Sequence, residues 1–426
     1  MSKVWPRTVI TGIGVIAPIG EGIEPFWQAL TSGQSGVKPI SLFDASAFPI
    51  RIAGEITGFD AKQYIDKKDR KSLKMMARSI QMGVAVSAMA LKNGQIDSAQ
   101  LDPTRIGVDF GASLIASDLD ELAPAAHIST KHGHNPVDMQ LWGVQGLAAM
   151  PPLWMLKYLP NMPACHVTIM HNLQGPSNTI TENDVAGLLS IAEAKRIIER
   201  GLADIMLTGA SDSRINPLSL TRLSLFQKFT QRNDAPAKAG RPFDLHRDGL
   251  IPGEGACNLV LEELNHALKR QAPIYGEVVG TGAAQDRHRD GRGVARSIQA
   301  AMKQAGIDAA QLDHINAHGY GHPQWDVMEA KGIRLAFGEQ CPPVFAAKGY
   351  LGNMGAPGGP TELAISLLAL QYGLLPPSLN YETPDPECPI PVIAREPKSI
   401  RKDYVLKISF SDLGQCAAVV VKRWRA

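Results

Sequence analysis

The chain has 426 residues, of which 44% are hydrophobic and 20% charged, the composition of an ordinary globular protein with room for a substantial core. Lysine and arginine number 43 against 41 aspartate and glutamate residues, so the formal charge is only +2. No run of basic residues concentrates this charge, which argues against nucleic acid as a partner.

The N-terminal stretch has none of the features of a secretory signal, and no segment approaches the roughly 20 uninterrupted apolar residues of a membrane span. We therefore expect a cytoplasmic protein without a membrane span. The five cysteines are scattered and never form a CxxC pair. This spacing predicts free thiols rather than a disulfide framework or a zinc site.

Short β-branched runs alternate with longer stretches of helical periodicity, a pattern typical of α/β layering. The predicted strands are Thr8–Ile13, Arg105–Phe110, Ile205–Thr208, Asn258–Leu261, Glu277–Val279, His314–Asn316, Val344–Ala346 and Tyr404–Ser409. The predicted helices are Lys71–Leu91, Val185–Arg200, Val294–Ala305, Trp325–Phe337 and Thr361–Tyr372. Two segments rich in proline and glycine, Gln231–Pro242 and Gly352–Pro360, are predicted to be loops.

A pair of glycines follows β-branched residues at two places in the chain, at Gly12 and Gly14 and again at Gly280 and Gly282. Interpreted as turns after strands, they indicate two similar halves. The first pair also fits a loose GxGxxA pattern, but no acidic residue follows a second strand at the expected distance. A dinucleotide site is therefore not predicted.

The helix predicted at Val185–Arg200 has a broad apolar face, and Gly201 follows it as a C-cap. Such a helix is expected to be central and largely buried. Asp184 stands directly before it, and aspartate is a common N-cap residue. Taken alone, this pattern predicts that Asp184 is the N-cap of the helix.

Five motifs, in order along the chain, closely resemble the β-ketoacyl-ACP synthase II type of condensing enzyme. They are His166–Ser177 (HVTIMHNLQGPS), Gly201–Ala210 (GLADIMLTGA), Arg241–Ala256 (RPFDLHRDGLIPGEGA), Asn316–Gly319 (NAHG) with Asp326 and Glu329, and Lys348 within AAKGYLGN. Several motifs in one register are far more specific than any one of them.

The resemblance implies an α/β protein of the thiolase-like fold, in which two similar halves form five layers, α-β-α-β-α. The first half would be residues 1–256, with the nucleophile position, and the second 257–426, with the remaining site residues. The resemblance also implies a dimer, formed through a strand that would include Val167–Met170. Acyl carrier protein or a phosphopantetheine-linked acyl group is the implied partner, and no cofactor is implied.

In such enzymes a cysteine at a helix N-terminus takes the acyl group as a thioester, a task that suits a thiolate. Aligning Gly175–Gly187 with the family pattern places Asp184 at the nucleophile position. A carboxylate accepts an acyl group poorly from a thioester, because the mixed anhydride formed is more reactive than the thioester. Condensation by the usual covalent route is therefore expected to fail.

The rest of the implied site is partly retained. His318, in NAHG, matches the first of the two histidines that decarboxylate malonyl-ACP, and Lys348 is an anchoring charge. Asn353 falls where the family has the second histidine, and its amide can still donate a hydrogen bond to an enolate oxygen.

Three histidines, at positions 314, 318 and 322, are spaced four residues apart, which suggests metal ligands. Gly319 and Gly321 would interrupt any helix that aligned them, so no metal site is predicted.

Residues that would handle the substrate also differ from the family. Tyr320 stands where a threonine helps to bind pantetheine, so the tunnel is expected to be narrower. In the gatekeeping loop Phe410 is retained, but Asp412 replaces a phenylalanine, which predicts a more polar site.

Three functions stay open. The first is a non-condensing partner that resembles the chain-length factors, in a homodimer or in a heterodimer with a cysteine-bearing ketosynthase, although those factors usually carry glutamine at the nucleophile position. The second is altered chemistry, in which Asp184 and His318 form a general-base pair for hydrolysis or malonyl-ACP decarboxylation. The third is a purely structural subunit. An ordinary synthase would need another nucleophile, and Cys165 precedes the HVTIM stretch, where the family has none.

Overall fold

The computed structural model describes residues 5–130 and 136–425. Its strands are β1 (Thr8–Ala17), β2 (Gly20–Glu21), β3 (Val37–Pro39), β4 (Ile52–Gly54), β5 (Ile106–Ala112), β6 (Ser177–Thr181), β7 (Ile205–Ser213), β8 (Glu254–Glu263), β9 (Gly276–Gln285), β10 (Leu312–Ala317), β11 (Val344–Ala346), β12 (Leu374–Leu375), β13 (Lys398–Ser399), β14 (Tyr404–Phe410) and β15 (Gln415–Arg423). Its helices are α1 (Ile23–Thr31), α2 (Arg78–Asn93), α3 (Leu119–Ser129), α4 (Met139–Leu141), α5 (Met162–His171), α6 (Ala186–Glu199), α7 (Pro217–Phe226), α8 (Pro236–Ala239), α9 (Leu264–Lys269), α10 (Arg292–Ala305), α11 (Pro323–Phe337), α12 (Lys348–Leu351) and α13 (Gly358–Tyr372).

One long mixed sheet runs through the molecule in the order β11-β10-β14-β15-β9-β1-β8-β7-β5-β6. It consists of two halves that meet where β1 pairs with β9. In the first half β5 is parallel to β6 and β7, while β8 is antiparallel to β7 and β1. In the second half β10 is parallel to β11 and β14, while β15 is antiparallel to β14 and β9. The two halves therefore share one topology, as the sequence predicts.

Helices cover both faces of each half. α6 and α13 lie between the half-sheets and contact strands of both, and α13 is buried over nearly its whole length. α2 covers the outer face of the first half, and α10 with α11 covers that of the second. The predicted five-layer α/β architecture is confirmed, and the N-terminus of central helix α6 lies at the candidate site.

The glycine pairs predicted as turns lie inside β1 and β9 instead. A Cβ atom at Gly14 would lie 2.0 Å from the carbonyl oxygen of Val86 in α2. One at Gly282 would lie 2.1 Å from the carbonyl oxygen of Ser297 in α10. In each half the bare position lets an outer helix rest directly on the strand backbone, so helix packing explains these glycines.

The prediction of a strand over Val167–Met170 is wrong, because these residues lie in α5. Pro163 stands in the first turn of this helix, and Asn172 ends it in the left-handed conformation with a φ of 52°. A short apolar run suits either a strand or a buried helix, and these two end signals decide for the helix. β6, which follows α5, forms the free edge of the first half-sheet.

Element boundaries differ in smaller ways. The helix predicted from Lys71 begins at Arg78, after a separate 3₁₀ turn over Arg70–Met75. The predicted loop Gln231–Pro242 contains the short helix α8. The predicted division between residues 256 and 257 falls inside β8, which pairs with β7 and β1, so we propose that the halves divide between β8 and β9. Within the described ranges, no helix is long and apolar enough to cross a membrane.

Candidate active site

Asp184 lies in a single 3₁₀ turn, Asn183–Val185, that connects β6 to the first turn of α6. Only 3% of its surface is exposed. Val185 takes the N-cap position of α6, and no side chain makes a capping hydrogen bond there. The interpretation of Asp184 as the N-cap is therefore wrong, and its carboxylate has a different partner.

That partner is Arg214, which follows directly after β7. Its guanidinium donates to Asp184 over 3.0 Å and 3.4 Å, and its Nε lies 3.4 Å from a carboxylate oxygen of Asp212. A Cβ atom at Gly355 would lie 2.2 Å from the same Asp212 carboxylate, so only glycine fits beside this cluster. Arg214 was not among the site residues predicted from the sequence, although an arginine two residues after an aspartate, at the end of a buried strand, is a signal of paired charge.

The charges of this cluster depend on one another. Burial opposes the charged form of Arg214, but the carboxylates of Asp184 and Asp212 outweigh it and raise the Arg214 pKa. Burial raises the pKa of Asp212, and Arg214 partly offsets that rise. Asp184 therefore belongs to a buried ionic cluster with two acidic groups and one basic group.

His318 follows β10 and is completely buried. The carboxylate of Glu329 accepts hydrogen bonds from the backbone N–H groups of His318 and Gly319, over 2.6 Å and 2.8 Å, and fixes this turn. The Nζ atom of Lys348 lies 3.2 Å from Nδ1 and 2.7 Å from the carbonyl oxygen of His318. Because an ammonium group only donates, Nδ1 is the acceptor and the ring proton is on Nε2.

Burial lowers the pKa of His318 well below its ordinary value, and the positive charges of Lys348, Lys407 and Arg214 add to this effect. His318 is therefore uncharged at neutral pH. An uncharged imidazole with its proton on Nε2 is a hydrogen-bond donor at that atom.

Two polar atoms of the predicted site lack a hydrogen-bond partner among the described residues: Nε2 of His318 and Nδ2 of Asn353. The amide oxygen of Asn353 accepts from the N–H of Gly355, so its NH₂ group is the unused donor. Buried donors without partners are rare and require an explanation. Since Nε2 has no partner and Asp184 bonds to Arg214, the predicted Asp184–His318 pair lacks its hydrogen bond.

Aromatic rings cover His318. The ring centroids of Tyr320 and Phe410 lie 4.3 Å and 4.9 Å from that of His318, and those of Tyr320 and Phe410 lie 5.1 Å apart. The Tyr320 hydroxyl reaches toward the carbonyl oxygen of Phe410, at 3.4 Å. Burial and the negative charges of Asp184 and Asp412 raise the pKa of Tyr320 well above its ordinary value, so its hydroxyl stays protonated.

A cavity of about 590 Å³ opens onto this cluster. Its polar and charged lining comprises Ser113, Thr181, Asn183, Asp184, Asp212, Arg214, Ser219, Arg222, Gln227, Arg289, Tyr320, Asn353 and Asp412. Asp412 is half-buried, accepts a hydrogen bond from Gln227, and has a pKa that burial and then Asp184 raise. His318, Lys348 and Phe410 do not belong to the lining, because Tyr320 stands between them and the cavity.

The three histidines spaced four apart lie in separate environments. His314 contacts Asp313 at 3.1 Å and Ser366 at 3.0 Å, whereas His322 accepts the N–H of Gln324 at the start of α11. In the part of the chain that the structure describes, no group of three or more His, Cys, Asp or Glu side chains is arranged to hold a metal ion. Cys165 is half-buried in α5, and no cysteine is among the described residues that line the main cavity.

Comparison with known proteins matches residues 6–267 to the family described as beta-ketoacyl synthase, N-terminal domain, and residues 275–382 to its C-terminal domain. The chain is 34% identical to the 3-oxoacyl-[acyl-carrier-protein] synthase 2 of Vibrio cholerae, covering 98% of this chain and 99% of that protein. It is 35% identical to the granaticin polyketide putative beta-ketoacyl synthase 1 of Streptomyces violaceoruber, covering 98% of each. A solved structure titled the ishigamide ketosynthase/chain length factor matches with a TM-score of 0.87 and 27% identity, over 99% of this chain and 100% of that one.

Replacing Arg214 with methionine should leave Asp184 and Asp212 buried without their cation. Breaking a buried ion pair on one side costs about 3–5 kcal/mol, so the free energy of unfolding should fall by about that amount at neutral pH. Without Arg214 the pKa of Asp212 would rise further above its unfolded value, so the deficit should shrink as the pH falls. Urea unfolding at neutral and mildly acidic pH measures both, with Arg222→Met, on the exposed cavity rim, as the control. Equal stability of the two variants would contradict the buried cluster.

Tyr320→Ala should open the cavity to His318. Diethyl pyrocarbonate modifies uncharged imidazole that it can reach, and peptide mass spectrometry locates the adduct. We expect His318 to be modified in the variant but protected in the wild type. The exposed His246 should react in both proteins, and the fully hydrogen-bonded His314 in neither. Modification of His318 in the wild type would show that Tyr320 is not a barrier.

Proposed function

Because this chain belongs to the β-ketoacyl synthase family and is a ketosynthase-like protein of fatty acid or polyketide biosynthesis, we propose that it is a non-condensing partner of a cysteine-bearing ketosynthase. The ion pair between Asp184 and Arg214 carries this proposal. A carboxylate bonded to a guanidinium at the helix N-terminus is a poor acyl acceptor, and no thiol lines the described cavity to replace it. The scaffold of the condensing enzyme is thus present without its covalent chemistry.

An unusually apolar surface supports the docking of a second subunit. Between β5 and β6 many large apolar side chains are exposed: Leu114, Leu119, Ile128, Val137, Met139, Val144, Leu147, Leu153, Met155, Leu156 and Ile169. β6 itself is a free sheet edge, which can pair with another chain. Apolar surface beside an open strand edge is typical of a protein interface. We assign it to a second ketosynthase-like subunit.

A second cavity, of about 640 Å³, lies under the same part of the chain. Segment 115–121 forms one wall, and Leu42, Phe43 and Arg78 contribute to the other side. A subunit docked on the apolar surface would cover the neighbouring wall. This placement supports a chain-length-factor-like role, in which the chain shapes an acyl pocket that it shares with its partner.

The cavity beside Asp184 supports contact with an acyl carrier protein or a phosphopantetheine-linked acyl group. Arg222 and Arg289 stand at its mouth beside the exposed Phe226 and Leu413. Guanidinium groups suit the phosphate of a pantetheine arm, and the apolar side chains suit a protein surface. A purely structural subunit would have no use for this cavity.

A second candidate activity is the decarboxylation of malonyl-ACP, favoured by the unused donors of His318 and Asn353. The bond between the malonyl carboxylate and its α-carbon would break, releasing carbon dioxide, and the electron pair would move onto the thioester oxygen as an enolate. Donors that reach that oxygen would stabilise it: Asn353 from the cavity lining, and His318 once the Tyr320 side chain moves aside. Water would then protonate the α-carbon to give acetyl-ACP. In this scheme His318 donates a hydrogen bond, and the hydrolytic general-base role predicted with Asp184 is not needed.

The docking proposal predicts that Ile169→Glu weakens subunit association. Ile169 is 74% exposed in the single chain, so a charge there should leave the fold intact but be costly in an interface. Co-expression with a cysteine-bearing ketosynthase, followed by co-purification and analytical ultracentrifugation, measures the effect. Leu335→Glu, at a site 56% exposed on α11 of the second half, is the matched control and should associate normally. A wild-type protein that forms a homodimer and does not bind the ketosynthase would contradict the proposed heterodimer.

Incubation with acyl-ACP and with malonyl-ACP tests the chemistry. Intact-mass measurement should show no acyl adduct on the protein, and an adduct on Asp184 would refute the loss of acyl transfer. If malonyl-ACP is decarboxylated, His318→Ala and Asn353→Ala should each lower the rate about 100-fold, the usual effect of losing one oxyanion donor. Tyr320→Ala should raise it by exposing His318. A wild-type rate equal to the background would remove the second candidate.

A further inference from the structure

Lys407 is a lysine buried in the interior, in β14 beside the candidate site. Its side chain has no solvent exposure and lies on the strand face turned toward α13. The ammonium group bonds to one carboxylate oxygen of Glu362, and it donates to the carbonyl oxygens of Ala317, over 3.0 Å, and Asn316, over 3.4 Å. A fully buried lysine is rare in a folded protein, and burying it costs free energy unless its charge is paired.

Glu362, the partner of Lys407, also binds Lys348, and this second contact indicates a role for the Lys407 charge. The second carboxylate oxygen of Glu362 accepts from Lys348 over 2.8 Å, and Lys348 in turn donates to Nδ1 of His318. Two buried ammonium groups therefore share one carboxylate, which neutralises only one of them. Burial lowers the pKa of Lys407 to about 8, so it is still charged at neutral pH. Glu362 therefore leaves one positive charge over next to the imidazole, and Glu329, with a pKa of about 7, offsets it only in part.

We propose that Lys407 is a positioning residue that acts on His318 through Glu362 and Lys348. It holds one oxygen of Glu362, so that the other oxygen orients Lys348 against Nδ1 and fixes the ring proton on Nε2. Its charge also makes an imidazolium unfavourable. His318 is thereby kept as an uncharged donor at every pH at which the protein is folded.

The other charged groups around His318 fit this role. Arg214, on the cavity side, adds a further positive charge, and Tyr320 stays protonated. Glu329 bonds to the backbone N–H of His318 and not to the ring, and burial raises its pKa to about 7. The negative charge near the ring is therefore limited to Glu362, which both lysines occupy, and to the partly ionised Glu329, which the backbone N–H groups of His318 and Gly319 hold.

This inference deepens the proposed decarboxylation, but it concerns a property of His318 that is measured without turnover or a partner. Labelling the 11 histidines with ¹³C and ¹⁵N, and subtracting the spectrum of His318→Asn, identifies the ring signals. In the wild type we expect the proton on Nε2 and no titration down to the pH of unfolding. A proton on Nδ1, or an imidazolium at neutral pH, would overturn the inference without any Lys407 variant.

In Lys407→Met the carboxylate of Glu362 is free to neutralise Lys348 alone, so the titration midpoint of His318 should move up toward its ordinary value. Lys195→Met is the control: Lys195 is also buried and paired, with Glu199 in α6, and its loss should leave His318 unchanged. Circular dichroism checks that both variants fold. An unchanged His318 signal in folded Lys407→Met would overturn the proposal. Absence of decarboxylation or of a partner would affect only the proposed function.

Discussion

Charge that is taken out of water has to find a partner within the fold, and this requirement organises the interior around the site. Asp184 and Asp212 meet Arg214 at the N-terminus of the central helix α6, and Glu362, in the other central helix α13, lies between two lysines. Each buried charge restricts the position of the next, because an unpaired one costs several kcal/mol. The carboxylates of Asp184, Asp212 and Glu362 are thereby held by internal partners.

The same constraint links Asp184 to the rest of the site. An aspartate at the helix N-terminus needs no cation in itself, since the helix dipole favours a negative charge there. The fold nevertheless places Arg214 against it, so the carboxylate of Asp184 is held in a buried ion pair. Tyr320 separates this ionic cluster from His318. The cavity therefore reaches the ion pair and Asn353, but not the retained histidine.

The fold could be predicted largely because its two halves repeat the same topology. Each half needs a strand with alternate glycines, because an outer helix rests on its backbone, and the sequence shows this pair twice. The α/β class, the two halves and most central strands could therefore be predicted. The error at Val167–Met170 has a local cause, since a run of only four residues has no period that separates strand from helix. Pro163 and Asn172, which decide for the helix, lie outside that run.

The sequence by itself determined the family and the layered fold, and it singled out Asp184, His318, Lys348 and Asn353 as candidate site residues, because these depend on motifs in a fixed order. Only the tertiary structure decided which atoms meet. Arg214 lies 30 positions from Asp184, and Lys407 lies 89 from His318. Asp184 and Arg214 follow β6 and β7, which lie on either side of β5, while His318 and Lys407 belong to the end of β10 and to the adjacent β14. These residues are therefore close in the sheet but distant in the chain. Hydrogen bonds of that kind leave no local periodicity, so the ionic cluster and the state of His318 emerge only when the chain is folded.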